Sequence, residues 1–388
     1  LQHRDSCVVP GRAADRRLRP PGSTRLHPTM SSARHSRRCP LTGTAPPLVA
    51  AGGGAIRVGF VMESIAPRGT RNRRAGHDHP GDRRPCRERG FRSSDHRWLT
   101  AQFVTGRLVN VNGVVRVVSW NLAFGKPGAY KSYSNRRRQW ALLGALAPDI
   151  ALLQECRPSD LQDHAPGWMA EEYSVAGTLQ PGWKLCSTIL VRKPHTVVVL
   201  DRALLGDDQR RWLDHMSGYV AAATVFVGTC AMEVASVHAL AEEVKVSEAV
   251  ALADHERIRR SGLDRAMHND LAVAALGPWV ADRRFIVGGD WNDSPLFDVN
   301  YPKGAYGVPG ASTEFFERRT AAGWLDAMRK FHAEEIRTYL EPKSAPYELD
   351  HVFTDAETRV GLVACEVLNN IVVAGLSDHA PVVVEFAL

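Results

Sequence analysis

From Val109 onward the chain is punctuated by short runs of apolar residues rich in Val and Ile: Val114–Trp120, Ile150–Gln154, Leu185–Val191, Thr196–Leu200, Val220–Val227, Met232–Val237, Phe285–Gly289, Leu349–Phe353, Val360–Leu368 and Val382–Phe386. Runs of this length and composition predict strands. Between them, three stretches read as helices. Ser134–Leu146 has Ser134 as its N-cap and stops before Ala147-Pro148. Ser247–Val280 is polar along one side and breaks near Ser261-Gly262. Glu314–Phe331 is amphipathic, with Phe315, Leu325, Met328 and Phe331 as its core face. Strands buried on both faces, alternating with helices and followed by a strand-rich half, predict a layered α/β sandwich.

Residues 1–108 have a different texture. They are rich in Arg, Pro, Gly, Ser and His and show almost no apolar periodicity. Such a segment cannot bury enough surface to offset chain entropy, so it is expected to be disordered and to leave 109–388 as the folded domain. The charge divides along the same line. Residues 1–110 hold 21 Arg, no Lys and seven acids, about +14, whereas the remainder is near −7 although the whole chain is +7. The basic character therefore belongs to the N-terminal segment, and a broad polyanion-binding surface is not indicated for the domain. Its Arg-over-Lys bias suits an extension translated from GC-rich sequence ahead of an internal start. If it is expressed, it is a candidate tail for nucleic acid or acidic membrane.

Seven cysteines, Cys7, Cys39, Cys86, Cys156, Cys186, Cys230 and Cys365, include no CxxC pair, which argues against a zinc site of the usual spacing and against a disulfide framework. Scattered thiols suit a reducing, cytoplasmic setting. Arg37-Arg38 ahead of Leu41–Met62 resembles a twin-arginine export signal, but Pro46, Pro47, Gly52 to Gly54 and Arg57 interrupt its apolar part. No apolar run is long enough to span a membrane.

The chemistry lies where polar residues interrupt or adjoin the strands. Val114–Trp120 ends at Asn121, Ile150–Gln154 at Glu155, Met232–Val237 at His238, and Phe285–Gly289 at Asp290, followed by Asn292. Glu348-Leu349 leads into Asp350, and Ser377 into Asp378-His379. Loops at sheet ends converge on one mouth, and side chains there are held rigidly. Carboxylates at 155, 290, 350 and 378, with amide oxygens at 121 and 292, form an oxygen-rich set that selects a hard cation such as Mg²⁺ or Mn²⁺. Two imidazoles add proton donors near neutral pH. Together these groups suit phosphoester hydrolysis.

Six blocks, Ser119-Trp120-Asn121, Leu153-Gln154-Glu155, Ser236-Val237-His238, Gly289-Asp290-Trp291-Asn292, Leu349-Asp350-His351-Val352-Phe353 and Ser377-Asp378-His379, resemble in order those of the endonuclease/exonuclease/phosphatase superfamily, the DNase I-like proteins. The resemblance spans about 114–388. It implies a four-layer α/β/β/α sandwich of two packed mixed sheets flanked by helices. It also implies Glu155 as principal metal ligand, with Asn121 beside it and Asp378 contributing. Asp290 would orient and deprotonate the attacking water. Asn292 would hold the water or a phosphoryl oxygen, His238 would donate to the phosphate, and His379 would contact the scissile phosphate with Asp350 setting its tautomer.

Taken singly, each station has an ordinary explanation: a turn for Asn121, a salt bridge to Arg157 for Glu155, a satisfied core histidine for His238, a turn cap for Asp290. All six would have to be ordinary at once. Strand alternation turns His351 to the face opposite Asp350. His215, His255 and His268 read as surface residues, Arg136 to Arg138 as a solvated helix face, Trp291 as packing under the site, and Trp183 as core. The substrate stays open among nucleic acid, a phospholipid head group (sphingomyelinase-like) and a small phosphate ester (inositol-phosphatase-like), acted on by a monomer. Abasic-site endonucleases carry Tyr at the position of His238, which counts against that activity. A non-catalytic binding module on the same fold is the alternative of another class.

Overall fold

A computed structural model describes residues 113–388, apart from 124–132, 158–160, 162–164, 178–184, 243, 245–259, 261, 264–265, 371–372 and 374. The N-terminal segment, Trp183, His255 and the first part of the expected helical stretch from Ser247 lie outside the described residues. The domain is built on two six-stranded mixed sheets. The strands are β1 (Val114–Asn121), β2 (Ile150–Cys156), β3 (Tyr173–Ala176), β4 (Cys186–Arg192), β5 (Thr196–Val199), β6 (Val220–Val227), β7 (Cys230–His238), β8 (Phe285–Asp290), β9 (Leu325–Asp326), β10 (Asp350–Thr354), β11 (Leu362–Val367) and β12 (Val382–Ala387). One sheet runs β11-β12-β1-β2-β4-β3 and the other β5-β6-β7-β8-β10-β9. Helices are α1 (Tyr133–Leu146), α2 (Gly167–Glu172), α3 (Asp207–His215), α4 (His268–Val280), α5 (Leu296–Asn300), α6 (Ala311–Ala321) and α7 (Ala356–Gly361).

Alternation along the central strands creates three apolar layers. Val117, Ile150, Leu152 and Ile286 pack between the sheets with Val234, Val352 and Val384. Their neighbours Val118, Ala151 and Leu153 face Trp140 and Leu143 of α1 on the outer side of the first sheet. Ala235, Val237 and Val287 face Leu271, Leu276 and Trp279 of α4 outside the second. Both faces of the middle strands are therefore dry, which is why they read as unbroken apolar runs. This is the expected four-layer sandwich.

Several expected elements differ. Helix α6 stops at Ala321 instead of running to Phe331. Gly323 sits at φ 81, Gly323 N–H donates to Thr320 O and Trp324 N–H to Arg319 O, closing the helix end. The chain continues as strand β9 and a 3₁₀ turn at Met328–Lys330. Phe315 and Met328 are buried as expected, but Phe331 is exposed. The expected strand Val360–Leu368 begins as the end of helix α7, because Asp355 caps that helix by accepting from Thr358 N–H. Helix α1 begins at Tyr133, so Ser134 lies within it. Among the described residues the second stretch becomes helical only from His268, after a turn at Gly262. None of the helices in the described residues is long and apolar enough to cross a membrane.

Candidate active site

The strand register builds the site. In the second sheet His238 pairs with Asp290 across the parallel β7–β8 ladder, and Asp290 pairs with Asp350 across the antiparallel β8–β10 ladder. Three ionisable side chains thus stand abreast at one sheet end. In the first sheet Asn121 pairs with Gln154. Register shifts between Leu153 and Cys156 where β2 meets β4, and Glu155 takes φ 51 there. A non-glycine residue in the left-handed region costs roughly 1 kcal/mol or more, and such positions cluster where a side chain must be aimed. Gln154 Nε2 donates to Ser236 Oγ at 3.0 Å, and Ser236 Oγ donates to Leu153 O at 3.0 Å, so the two sheets are tied together one residue from the site.

The six stations converge. Asn121 Nδ2 donates to Asp290 Oδ2 at 2.9 Å and reaches Glu155 Oε1 at 3.4 Å. His238 Nε2 lies 3.8 Å from both Glu155 Oε1 and Asp290 Oδ2. His379 Nε2 lies 3.6 Å from Asp290 Oδ2, and its Nδ1 is hydrogen-bonded to Asp350 Oδ2 at 2.8 Å. The Asn292 amide N–H donates to Asp290 Oδ1 at 3.0 Å, while its side chain donates to Ala239 O. Asp378 is buried beside His379, where its charge acts on that imidazole. The turn that carries it is pinned by Ser377 Oγ donating to Asn121 O and by Leu340 N–H donating to Asp378 O. Glu155, His238, Asp290, Asn292 and His379 line one cleft of about 600 Å³.

Burial shapes the electrostatics. It raises the Asp290 carboxyl pKa, with the His379 charge pulling the other way. Burial also works against a charged His379, but Asp350 and Asp290 outweigh it and push the imidazole up to about 10.

Two details depart from the sequence reading. Asn121 turns its NH₂ toward the carboxylates, and its carbonyl oxygen accepts Ala123 N–H. His268 is buried, not at the surface: it opens α4 with its ring 5.6 Å from His215 and 6.2 Å from Tyr219. His351 does turn away from the cleft, and Trp291 is fully buried with Nε1 donating to His351 O. Arg137 and Arg138 are exposed on α1. Several lining residues went unread in the sequence. Phe297, Asn300 and Tyr301 come from α5 and its C-terminal end, and Tyr339, Lys343 and Tyr347 from the irregular segment before β10. Thr338 was also missed; its hydroxyl accepts from Leu349 N–H and Asp350 N–H at 2.8 and 3.0 Å and fixes the Asp350 backbone. They lie in stretches without periodicity, where no sequence signal marks them.

Residues 118–379 match the model of the Endonuclease/Exonuclease/phosphatase family, about two thirds of the chain. The chain belongs to that family. Its chemistry is metal-dependent phosphoester hydrolysis. No curated protein matches it. Similar solved structures include a humanized TDP2 from D. rerio, 14% identical, covering 71% of this chain and 100% of that one with a TM-score of 0.46. The AP endonuclease LMAP from Leishmania major is 13% identical over 71% and 88% of the two chains, TM-score 0.48. A 3' phosphatase, NExo, from Neisseria, bound to product DNA hairpin, is 19% identical over 71% and 100%, TM-score 0.47.

The donor set suits a hard divalent cation. Glu155, Asp290, Asp350 and His379 all converge, and Asp290, Asp350 and His379 each offer a ligand atom within 4.8 Å of the others. Asp350 Oδ1 is buried without a hydrogen-bond partner among the described residues, a group that a cation or a bound water would satisfy.

Proposed function

We propose that this chain hydrolyses a phosphodiester or phosphomonoester with Mg²⁺, or Mn²⁺ in its place. Glu155 would hold the ion with Asp378 contributing, and Asn121, whose NH₂ faces the carboxylates, would brace Glu155 and Asp290. When bound, the ion supplies charge that polarises a phosphoryl oxygen and offsets the negative charge of the transition state. Asp290 orients a water and accepts its proton as the water oxygen bonds to phosphorus. The ester P–O bond breaks, and the departing oxygen takes a proton from His379 Nε2, which the proton gained by Asp290, 3.6 Å away, replaces. His379, its Nδ1 engaged by Asp350, presents Nε2 to the phosphate from one side of Asp290, and His238 presents Nε2 from the other. Asn292 steadies the carboxylate through its main-chain N–H.

The observation that carries this reading is the placement of one buried carboxylate, Asp290, within 4 Å of two imidazoles and an amide drawn from three other strand-end segments. Hydrolysis of bis-(p-nitrophenyl) phosphate should require Mg²⁺ or Mn²⁺ and stop in EDTA. Full activity after verified metal removal would overturn the proposal.

A further inference from the structure

The cleft is larger than one phosphate needs, and the lining beyond the acid–imidazole floor carries four aromatic rings. Phe297 and Tyr347 form one aromatic cluster in its lining, and Tyr301, Tyr339 and Lys343 line the same cleft. Among the described lining residues only Ala345 and Leu349 are aliphatic. The geometry points to a subsite for a planar base, so that the substrate is a nucleoside phosphoester whose base stacks beside the scissile phosphate. This rests on the hydrolase reading above.

The aromatic walls are prearranged. Phe297 meets Tyr347 edge to face at 4.6 Å, and Asn300 Nδ2 reaches the Tyr347 hydroxyl at 3.3 Å. Tyr347 O accepts from both Thr338 N–H and Tyr339 N–H, closing the 339–347 loop on itself. Arg337 braces that loop through the carbonyls of Tyr339 and Glu341. Tyr339 packs its ring 5.2 Å from His379, which carries the aromatic wall down to the phosphate-handling groups. Tyr301 is left half exposed at the mouth. Its ring costs little to order and offers a π-face that accepts any base.

The polar tips decide between a base and a lipid. A base needs flat faces with donors and acceptors at its edge, which tyrosine hydroxyls and Asn300 provide. An acyl chain needs continuous aliphatic surface, and this cleft has almost none. Charge limits the ligand's length. Lys343 is the only lysine or arginine in the described lining, and the chain outside its N-terminal segment is net acidic. A long polyanion would find few counter-charges, so a nucleotide or a single-stranded end fits better than a duplex. A cleft of about 600 Å³ has room for one nucleotide.

Calorimetry on the full chain with Mg²⁺ tests this directly, because hydrolysis of a nucleoside phosphodiester leaves a nucleoside monophosphate. Thymidine 5'-monophosphate should bind at least about tenfold tighter than methyl phosphate or phosphocholine. Tyr301→Ala should cut that ratio at least about fivefold, and Tyr301→Phe should keep it within about twofold. Equal affinity for the three ligands, preference for phosphocholine, or a ratio indifferent to Tyr301→Ala would overturn the base subsite. The p-nitrophenyl esters of the same three groups separate the two readings. Thymidine 5'-monophosphate binding with no turnover of any ester would uphold the subsite and sink the hydrolase reading. Turnover without base preference would do the reverse.

Discussion

Asp290 occupies the most demanding position in the cleft. It is buried, accepts from Asn121 and Asn292, and lies between His238 and His379. Asparagine would keep its shape and lose the charge and the proton acceptor. Asp290→Asn should therefore lower kcat at least about a hundredfold with native circular dichroism, and His379→Ala should do the same. Wild-type rates in either folded variant would remove that residue from the mechanism. His351, one residue beyond Asp350, teaches a different lesson. Its Nδ1 lies 3.0 Å from Asp326 and 3.3 Å from Glu348, and its Nε2 is 3.0 Å from Glu348 O. Burial alone would lower its pKa, but the hydrogen bonds it donates to the two carboxylates hold it well above the usual histidine value. Arg329 closes the cluster on Glu348. The arrangement is a buried imidazolium that ties β9 to β10 behind the site. Removing it would leave the buried Asp326 carboxylate without its imidazolium while Glu348 keeps Arg329, so His351→Ala should lose about 3–5 kcal/mol in urea unfolding. A loss below about 1 kcal/mol would show that the cluster does not hold the strands together.

At the scale of elements, β8 is the strand on which the site turns, and its two glycines have separate reasons. A Cβ on Gly289 would lie 1.8 Å from Val237 O, inside the backbone of β7. One on Gly288 would meet Leu152 Cδ1 at 2.9 Å and Val352 Cγ2 at 3.2 Å, ends of side chains that can yield. Only a bare backbone at 289 lets β7 and β8 pair closely enough to set His238 beside Asp290. Gly289→Ala should cost at least about 3 kcal/mol or abolish soluble folded protein, and Gly288→Ala should cost less. The reverse ranking in chemical denaturation would contradict this account of the strand pair. The β2 end works by another device, the register shift that swings Glu155 out of the ladder toward Asn121 and His238.

At the scale of the molecule, buried histidines pull stability in opposite directions with pH. Burial, then the charges of His215 and His238, lower the His268 pKa to about 4. The unfolded chain, titrating near 6.5, takes up the proton first, so this contribution is complete above about 6.5 and is lost as pH falls toward 4. His379 is raised to about 10. Its contribution is complete below about 6.5 and is lost as pH rises toward 10. The urea midpoint in EDTA should peak near neutrality and decline on both sides, and His268→Gln should flatten the acid limb. An unchanged acid limb in that variant would show that another group drives it.

Much of this was legible along the chain because two periodicities survive into the fold. A strand buried on both faces must be apolar at every position, so the central strands declared themselves, and a polar residue where each run ends stood out against that background. Asn121, Glu155, His238 and Asp290 were visible for that reason, and Asp350 and His379 as polar residues adjoining apolar strands. The order of the blocks also named the family. Tertiary structure alone decided which strand ends become neighbours, since register and sheet order are long-range pairings that no local pattern encodes. The stop of α6 at Gly323 and the capping of α7 by Asp355 are local signals, whereas the burial of His268 against Tyr219 was decided by tertiary packing. The aromatic walls of the cleft lie in segments without periodicity, and their side chains gain a common purpose only when two distant loops close over the same floor.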